Sequence, residues 1–226
     1  VSPQLVRHLV TILLGIGAAY ALTRQCRKPT GWFGRLVVRN MNARHSRVTD
    51  WGLGHIRLEN AFTILDVGCG GGRTIRKLAA IASAGKVYGI DYAPASIAVA
   101  RKTNAGEIAA GRVDVREGSV SKLPFPDGTF DLVTAVETHY YWPHPLEDMR
   151  EVRRVLKPGG RFALIAETYK GSRLDAVFEP AMRVLGATYL TVDQHRDLLA
   201  AAGFSDVEVS VQEGKGWICA VGGKAS

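Results

Sequence analysis

Short apolar runs rich in β-branched residues recur along the chain at 62–67, 87–90, 113–115, 132–136, 162–165, 207–211 and 217–221. Runs of this length bounded by glycine, proline and polar clusters predict strands. Stretches with helical spacing of apolar positions, at 74–82, 94–109 and 146–156, lie among the first five runs, and a turn-rich connection at 123–128 joins the third to the fourth. Strands alternating with helices imply crossover connections and therefore a parallel sheet. Only residues 212–216 separate the last two runs, too few for a crossover, so those strands are expected to form an antiparallel hairpin at one edge. The expected fold is a doubly wound, mostly parallel seven-stranded α/β sheet with an antiparallel C-terminal hairpin.

The chain before residue 61 has a different pattern. Residues 32–56 show helical spacing, with Trp32, Leu36, Val37 and Met41 at offsets of one to four, and predict a pair of short helices that cap the sheet. Polar and aromatic groups are dense over 41–53, which fits a lid over a ligand or a solvated cap with Trp51 buried. Further upstream, residues 9–22 form fourteen uncharged positions with Arg7 and His8 before them and Arg24, Arg27 and Lys28 after. A spanning helix needs about 20 residues. Extension back to Leu5 with Arg7 snorkelling gives a marginal span whose heavier positive flank keeps the following domain on the cytoplasmic side. The alternatives are a helix packed on its own domain or a partner, and a cleaved leader. The expected organisation is an apolar and basic helix at 1–28 that reaches a membrane, a helical cap at 29–60 and a ligand-binding domain at 61–226.

Charge sharpens that division. The net charge is +8, but residues 1–60 carry nine Lys/Arg against two Asp/Glu, while residues 61–226 carry twenty against nineteen. A basic segment beside an apolar helix suits an anionic membrane surface at least as well as a polynucleotide. Three scattered cysteines, Cys26, Cys69 and Cys219, make no disulfide framework, and no CxxC or His/Cys spacing suggests zinc, so a reducing cytoplasmic setting and no metal are expected.

In a doubly wound sheet, ligands bind at the carboxyl ends of the strands. The first strand ends in Asp66-Val67-Gly68-Cys69-Gly70-Gly71-Gly72-Arg73, a loop whose glycines allow close backbone approach to a ligand at a helix N-terminus. A dinucleotide fingerprint requires a small residue where Arg73 stands. Asp66 would repel a pyrophosphate yet accept from an ammonium. Asp91 ends the second strand, where a carboxylate accepts ribose hydroxyls. Together the two acids describe a ligand with a cationic amino-acid end and a ribose, S-adenosylmethionine (SAM) rather than NAD.

The segment from Asp66 to Arg73 resembles the first motif of class I SAM-dependent methyltransferases of the small-molecule "type 11" kind, and Asp91 resembles their ribose-binding acid. The segments 118–131 and 156–161 are similar to the family's connection between strands three and four and to its turn before strand five. The resemblance implies SAM as cofactor, contacted by Asp66, Gly68, Cys69, Gly70, Asp91, Tyr92, Ser119, Val120 and Glu137. Relatives often carry Asp at the Ser119 position for the adenine amino group; here a hydroxyl or a backbone carbonyl stands in, and Val120 walls the adenine.

Strand four ends in Glu137-Thr138-His139-Tyr140-Tyr141-Trp142, beside the expected methyl position. Glu137, His139 and Tyr140 are the candidate catalytic residues, His45 is a further candidate base, and Tyr141 and Trp142 either shape the acceptor pocket or pack beneath the next helix. Neither an Asn/Asp-Pro-Pro-aromatic run at this point nor a Pro-Cys pair occurs, which by resemblance argues against methylation of nucleic-acid bases. The expected function is methyl transfer to a small molecule or lipid. The alternatives are an RNA or protein methyltransferase docking through its basic N-terminal segment, a non-catalytic SAM-binding protein, and a NAD-type oxidoreductase.

Overall fold

The computed structural model describes residue 25 and residues 27–226. The apolar run at 9–22 expected to reach a membrane lies outside the described residues. Among those described, no helix is long and apolar enough to cross a membrane.

Seven strands form one sheet: β1 (Thr63–Val67), β2 (Lys86–Asp91), β3 (Val113–Glu117), β4 (Phe130–Val136), β5 (Leu156–Ala166), β6 (Ser205–Gln212) and β7 (Trp217–Gly223). Their order is β3-β2-β1-β4-β5-β7-β6. The first five are parallel, and β7 runs antiparallel to both neighbours. The hairpin expected at the edge therefore inserts its second strand between β5 and β6. Composition explains the choice. Ile218, Cys219, Ala220 and Val221 are all buried, as suits a strand covered on both faces, whereas β6 alternates and tolerates the edge.

Strand residues alternate between two apolar layers. Leu65, Val133, Phe162 and Leu164 join Met149 and Leu199 on one face, while Ile64, Leu132, Ala163 and Ile165 join Ile75 and Leu78 on the other. The helices are α1 (Gly31–Arg44), α2 (Ser46–Leu53), α3 (Arg73–Ile81), α4 (Pro94–Thr103), α5 (Ala105–Ala109), α6 (Pro145–Val155), α7 (Asp175–Val184) and α8 (Val192–Ala201).

Several elements differ from the sequence pattern. The helix expected over 94–109 breaks at Asn104, whose buried side-chain amide donates to the Gly72 and Ala100 carbonyls at 2.9 Å each. Strand β5 starts at Leu156, and residues 157–160 bulge out between its pairings with Phe130 and Leu132. Lys157 crosses that bulge to Asp131 at 2.8 Å. Helices α7 and α8 occupy a stretch where periodicity assigned no element. A capping box marks the start of α8, the Thr191 hydroxyl accepting from Gln194 N–H and the Gln194 side chain accepting from Thr191 N–H.

The face of α1 is also rotated from its expected direction. Trp32 is 73% exposed and Leu36 55%, while Val38 is buried at 4%. Positions 34, 38, 41 and 45 follow the helical period and turn inward, so Trp32 and Leu36 lie on the opposite side.

Candidate active site

The carboxyl ends of β1, β2 and β4 open into a cavity of about 390 Å³. Its floor is the loop from β1 to α3. Gly68 has φ +69°, and a Cβ there would stand 2.1 Å from the Thr138 hydroxyl, so only glycine lets the β1 and β4 ends approach. Gly70 has φ +52°, and a Cβ there would meet nothing within 4 Å; its bare backbone faces open space in the cavity wall. The Cys69 amide donates to Ile90 O at 2.9 Å, which binds the loop to β2.

Two carboxylates fix the loop's charge pattern. Asp91 accepts from Gly70 N–H at 2.9 Å through Oδ2 and from Ala93 N–H at 2.8 Å through Oδ1. Burial pushes its pKa up, and the two amides with Ser96 pull against that shift. A carboxylate has about four acceptor sites, so these three donors leave capacity for a further one, and Asp91 lines the cavity. Asp66 is 1% exposed and accepts from the Thr134 hydroxyl at 2.7 Å. Burial raises its pKa to about 7, Thr134 opposing and Asp91 adding to the rise.

The far wall carries a second charged group. Glu137, immediately after β4, has φ +57°, a left-handed conformation that a side-chain-bearing residue adopts at a cost. Its amide donates to Ile165 O at 2.9 Å, and its carboxylate accepts from Glu167 N–H. Those two bonds hold the strained turn. His45, at the junction of α1 and α2, lies with Nε2 3.6 Å from the Glu167 carboxylate. Burial lowers the His45 pKa, but the Glu167 contact and the charges of Glu137 and Glu167 outweigh it, and the net shift is upward. Glu167 shifts down, because the pairing with His45 overcomes its burial. Burial raises Glu137 to about 8, with His45 opposing and Glu167 adding to the rise. His45 and Glu167 therefore form an ion pair beside a carboxyl that holds its proton near neutral pH. The ligand atoms of these three residues lie within 4.8 Å of one another, so this cluster also has the spacing to hold a metal ion.

All nine residues assigned to the cofactor from sequence line this one cavity: Asp66, Gly68, Cys69, Gly70, Asp91, Tyr92, Ser119, Val120 and Glu137. Cys69 is buried, and desolvation first, then Asp91 and Asp66, drives its thiol well above the ordinary range, so it packs rather than reacts. Ser119 is exposed, its hydroxyl 3.3 Å from Ser121 N. The Tyr92 hydroxyl donates to the Arg27 carbonyl, tying the N-terminal segment over the cavity.

The candidate catalytic residues separate. Glu137 lines the cavity; His139 and Tyr140 do not. The 3₁₀ turn His139–Tyr141 points both rings into the core. There the His139 Nε2 lies 3.2 Å from His195 Nε2, and Tyr140 donates to Thr168 O at 3.3 Å. Burial first and His195 second hold His139 well below the usual imidazole range. Both rings are buried and neither lines this cavity, so the structure does not bring them together with Glu137 at the candidate site. Tyr141, Trp142 and Pro143 take the wall instead.

The other residues that sequence reasoning missed come from distant elements. Val38, Met41 and Thr49 close the cavity from α1 and α2, and Arg27 and Pro29 from the segment before them. Glu167 had one legible signal, its position just past the carboxyl end of β5.

The family model described as "Methyltransferase domain" matches residues 65–164. The O-methyltransferase cnsE of Penicillium expansum is 30% identical over 156 residues, covering 65% of this chain and 53% of that one. A ubiquinone biosynthesis O-methyltransferase of Xanthomonas oryzae pv. oryzae is 38% identical over 128 residues, 56% of this chain and 49% of that one. The chain thus spans about half the length of these relatives. Human N-acetylserotonin methyltransferase, solved in complex with SAM, superposes with a TM-score of 0.71 at 20% identity, over 85% of this chain and 56% of that one. That likeness concerns the fold.

Proposed function

We propose that this chain, whose residues 65–164 match the methyltransferase-domain family model, transfers a methyl group from SAM to a small-molecule or lipid acceptor. The observation that carries the reading is the pairing of Asp66 and Asp91 across one glycine loop at the mouth of β1 and β2.

The residues present fit the cofactor. Asp91 keeps acceptor capacity for a ribose hydroxyl after accepting from Gly70, Ala93 and Ser96. The open space at Gly70 accommodates a ligand backbone. Asp66, with its pKa near 7, gains an ionised state when an ammonium pairs with it. A cavity of about 390 Å³ falls in the range of small-molecule sites.

When bound, SAM supplies a sulfonium methyl open to in-line displacement by an acceptor oxygen, nitrogen or carbon. The protein's part is alignment and exclusion of water. Val38 and Met41 from the cap and Trp142 from the far wall supply apolar cover. Glu137 is suited to take a proton from the acceptor, and the His45–Glu167 pair beside it biases where that proton rests. The names of the relatives, an O-methyltransferase and a quinone-pathway O-methyltransferase, favour a hydroxyl acceptor on a small molecule.

Calorimetric titration of the full chain with SAM, followed by labelled-methyl transfer into fractionated cell extract, tests the reading. Saturable binding with label in a low-molecular-weight or lipid fraction is expected. Binding of NADH in place of SAM would overturn the cofactor, and label confined to RNA or protein would overturn the acceptor class.

A further inference from the structure

Helix α1 has two working faces. Val38, Met41 and, one residue past its end, His45 turn inward to the cavity. At helical spacing on the other side stand Trp32 and Leu36, 73% and 55% exposed, with Phe33 at 41% on the flank. Arg35 and Arg39 border the same stripe and are exposed. Large apolar side chains left in water beside arginines cost the free protein hydrophobic stabilisation and call for a cover with both properties.

A second observation adds phosphate chemistry at the same place. Arg39 reaches into a groove of about 670 Å³ between α1, α3 and α4, lined also by Arg73, Arg76, Lys77 and Lys102 and by no acidic residue. Lys77 pairs with Asp50 at the rim. Arg39, Arg73, Arg76 and Lys102 have no ion-pair partner among the described residues. Four unpaired cations facing one groove favour an anion there.

We propose that the outer face of α1, with the basic groove beside it, docks on an anionic phospholipid bilayer, Trp32 and Leu36 entering the interface while the groove holds lipid phosphate. A polynucleotide would satisfy the groove but leave Trp32 and Leu36 uncovered. The net charge of +7 in residues 1–60 has the sign that an anionic leaflet attracts. Because Val38 and Met41 on the inner face wall the cavity, the docked helix stands between bilayer and active site. The acceptor class that follows is a membrane-borne amphiphile. That last step rests on the methyltransferase reading; the docking surface does not.

The test uses the full chain with vesicles of phosphatidylcholine alone or mixed with phosphatidylglycerol, some carrying brominated acyl chains that quench tryptophan. Anionic vesicles should bind at least tenfold more tightly than zwitterionic ones, with fluorescence quenched by the brominated lipid. Trp32→Phe should remove most of that quenching, since Trp142 is buried and Trp51 and Trp217 are half-buried. Arg39→Ala with Arg76→Ala should weaken binding about fivefold per residue removed. Calorimetry with SAM reports whether each variant is folded. Quenching unchanged in Trp32→Phe would overturn the proposal, because the quenched residue would then be Trp51, Trp142 or Trp217 and a face other than that of Trp32 would be the part inserted. Equal affinity for both vesicle types, self-association that buries Trp32 in place of lipid, or tighter binding to RNA than to anionic vesicles would overturn it as well. If docking holds and no methyl is transferred, the surface stands and the enzymatic reading fails.

Discussion

The chemistry of the site is set by carboxyl groups held in the wrong medium for their charge. Asp66 is buried with one hydroxyl donor, and its pKa of about 7 means that its neutral form is favoured below neutrality. The raised value makes the folded state bind a proton that the unfolded chain has released, so Asp66 stabilises the fold at low pH and that contribution fades as pH rises toward 7. Above that pH the buried charge is retained at a cost. Asp66→Asn should therefore raise the melting temperature of the ligand-free protein at pH 8, by an amount worth roughly 2 to 4 kcal/mol, while weakening SAM binding. Thermal scans at pH 5 and pH 8 check this: a gain at pH 8 that shrinks at pH 5 is expected, and a loss at both would show that Asp66 is a structural anchor. Glu137 follows the same logic with a different readout. A base must be ionised, and burial holds this one near 8, so turnover at saturating SAM should climb as pH passes through 8. Glu137→Gln should flatten that limb and lower turnover with little change in SAM affinity. A wild-type profile already flat from pH 6 to 9 would remove Glu137 from proton transfer.

Among the elements, the break between α4 and α5 is the departure from periodicity with the clearest purpose. Helical spacing over 94–109 predicted one helix, yet it yields at Asn104, whose side-chain amide bonds the Gly72 carbonyl in the loop that floors the cavity. A buried amide competes with helix propagation by offering the backbone another partner. Asn104→Ala should leave the Gly72 carbonyl unpaired, cost about 1 to 3 kcal/mol of stability, and weaken SAM binding by loosening the loop. Denaturant unfolding and calorimetry on the same variant separate the two effects, and unchanged affinity would mean that the loop is rigid without its clamp. The 3₁₀ turn after β4 shows the opposite limit of sequence reading. Five of the six residues from Glu137 to Trp142 carry groups able to do chemistry, and spacing alone does not say which face inward. The turn sends His139 and Tyr140 to the core beside His195 and Thr168 and Tyr141 to the cavity, while Trp142 lines the cavity and also stacks on Phe162 in the core.

Across the whole molecule, the cavity brings together the cap, the loop after β1, the end of β2 and the turn after β4. A ligand bound there should stabilise the domain as a unit, by about 2.7 kcal/mol at a hundredfold excess over Kd. For a chain of this size that is a rise in melting temperature of roughly 5 to 10 °C with SAM. Asp91→Ala should lose most of it, and a full shift in that variant would place the ribose elsewhere. What the sequence by itself determined is local and periodic. The β-branched runs, the helices between them, the glycine loop, and Asp66 and Asp91 at strand ends follow from spacing and backbone sterics, which act over a few residues. What only the tertiary structure decided depends on contacts between distant segments: β7 entering between β5 and β6, α1 turning Val38 inward and Trp32 outward, and His45 meeting Glu167 beside Glu137. The reason is physical. A pleat or a helical turn fixes the faces a residue can take, but which face is covered depends on what the rest of the chain packs against it, and a carboxyl's pKa depends on the burial and charge that packing brings.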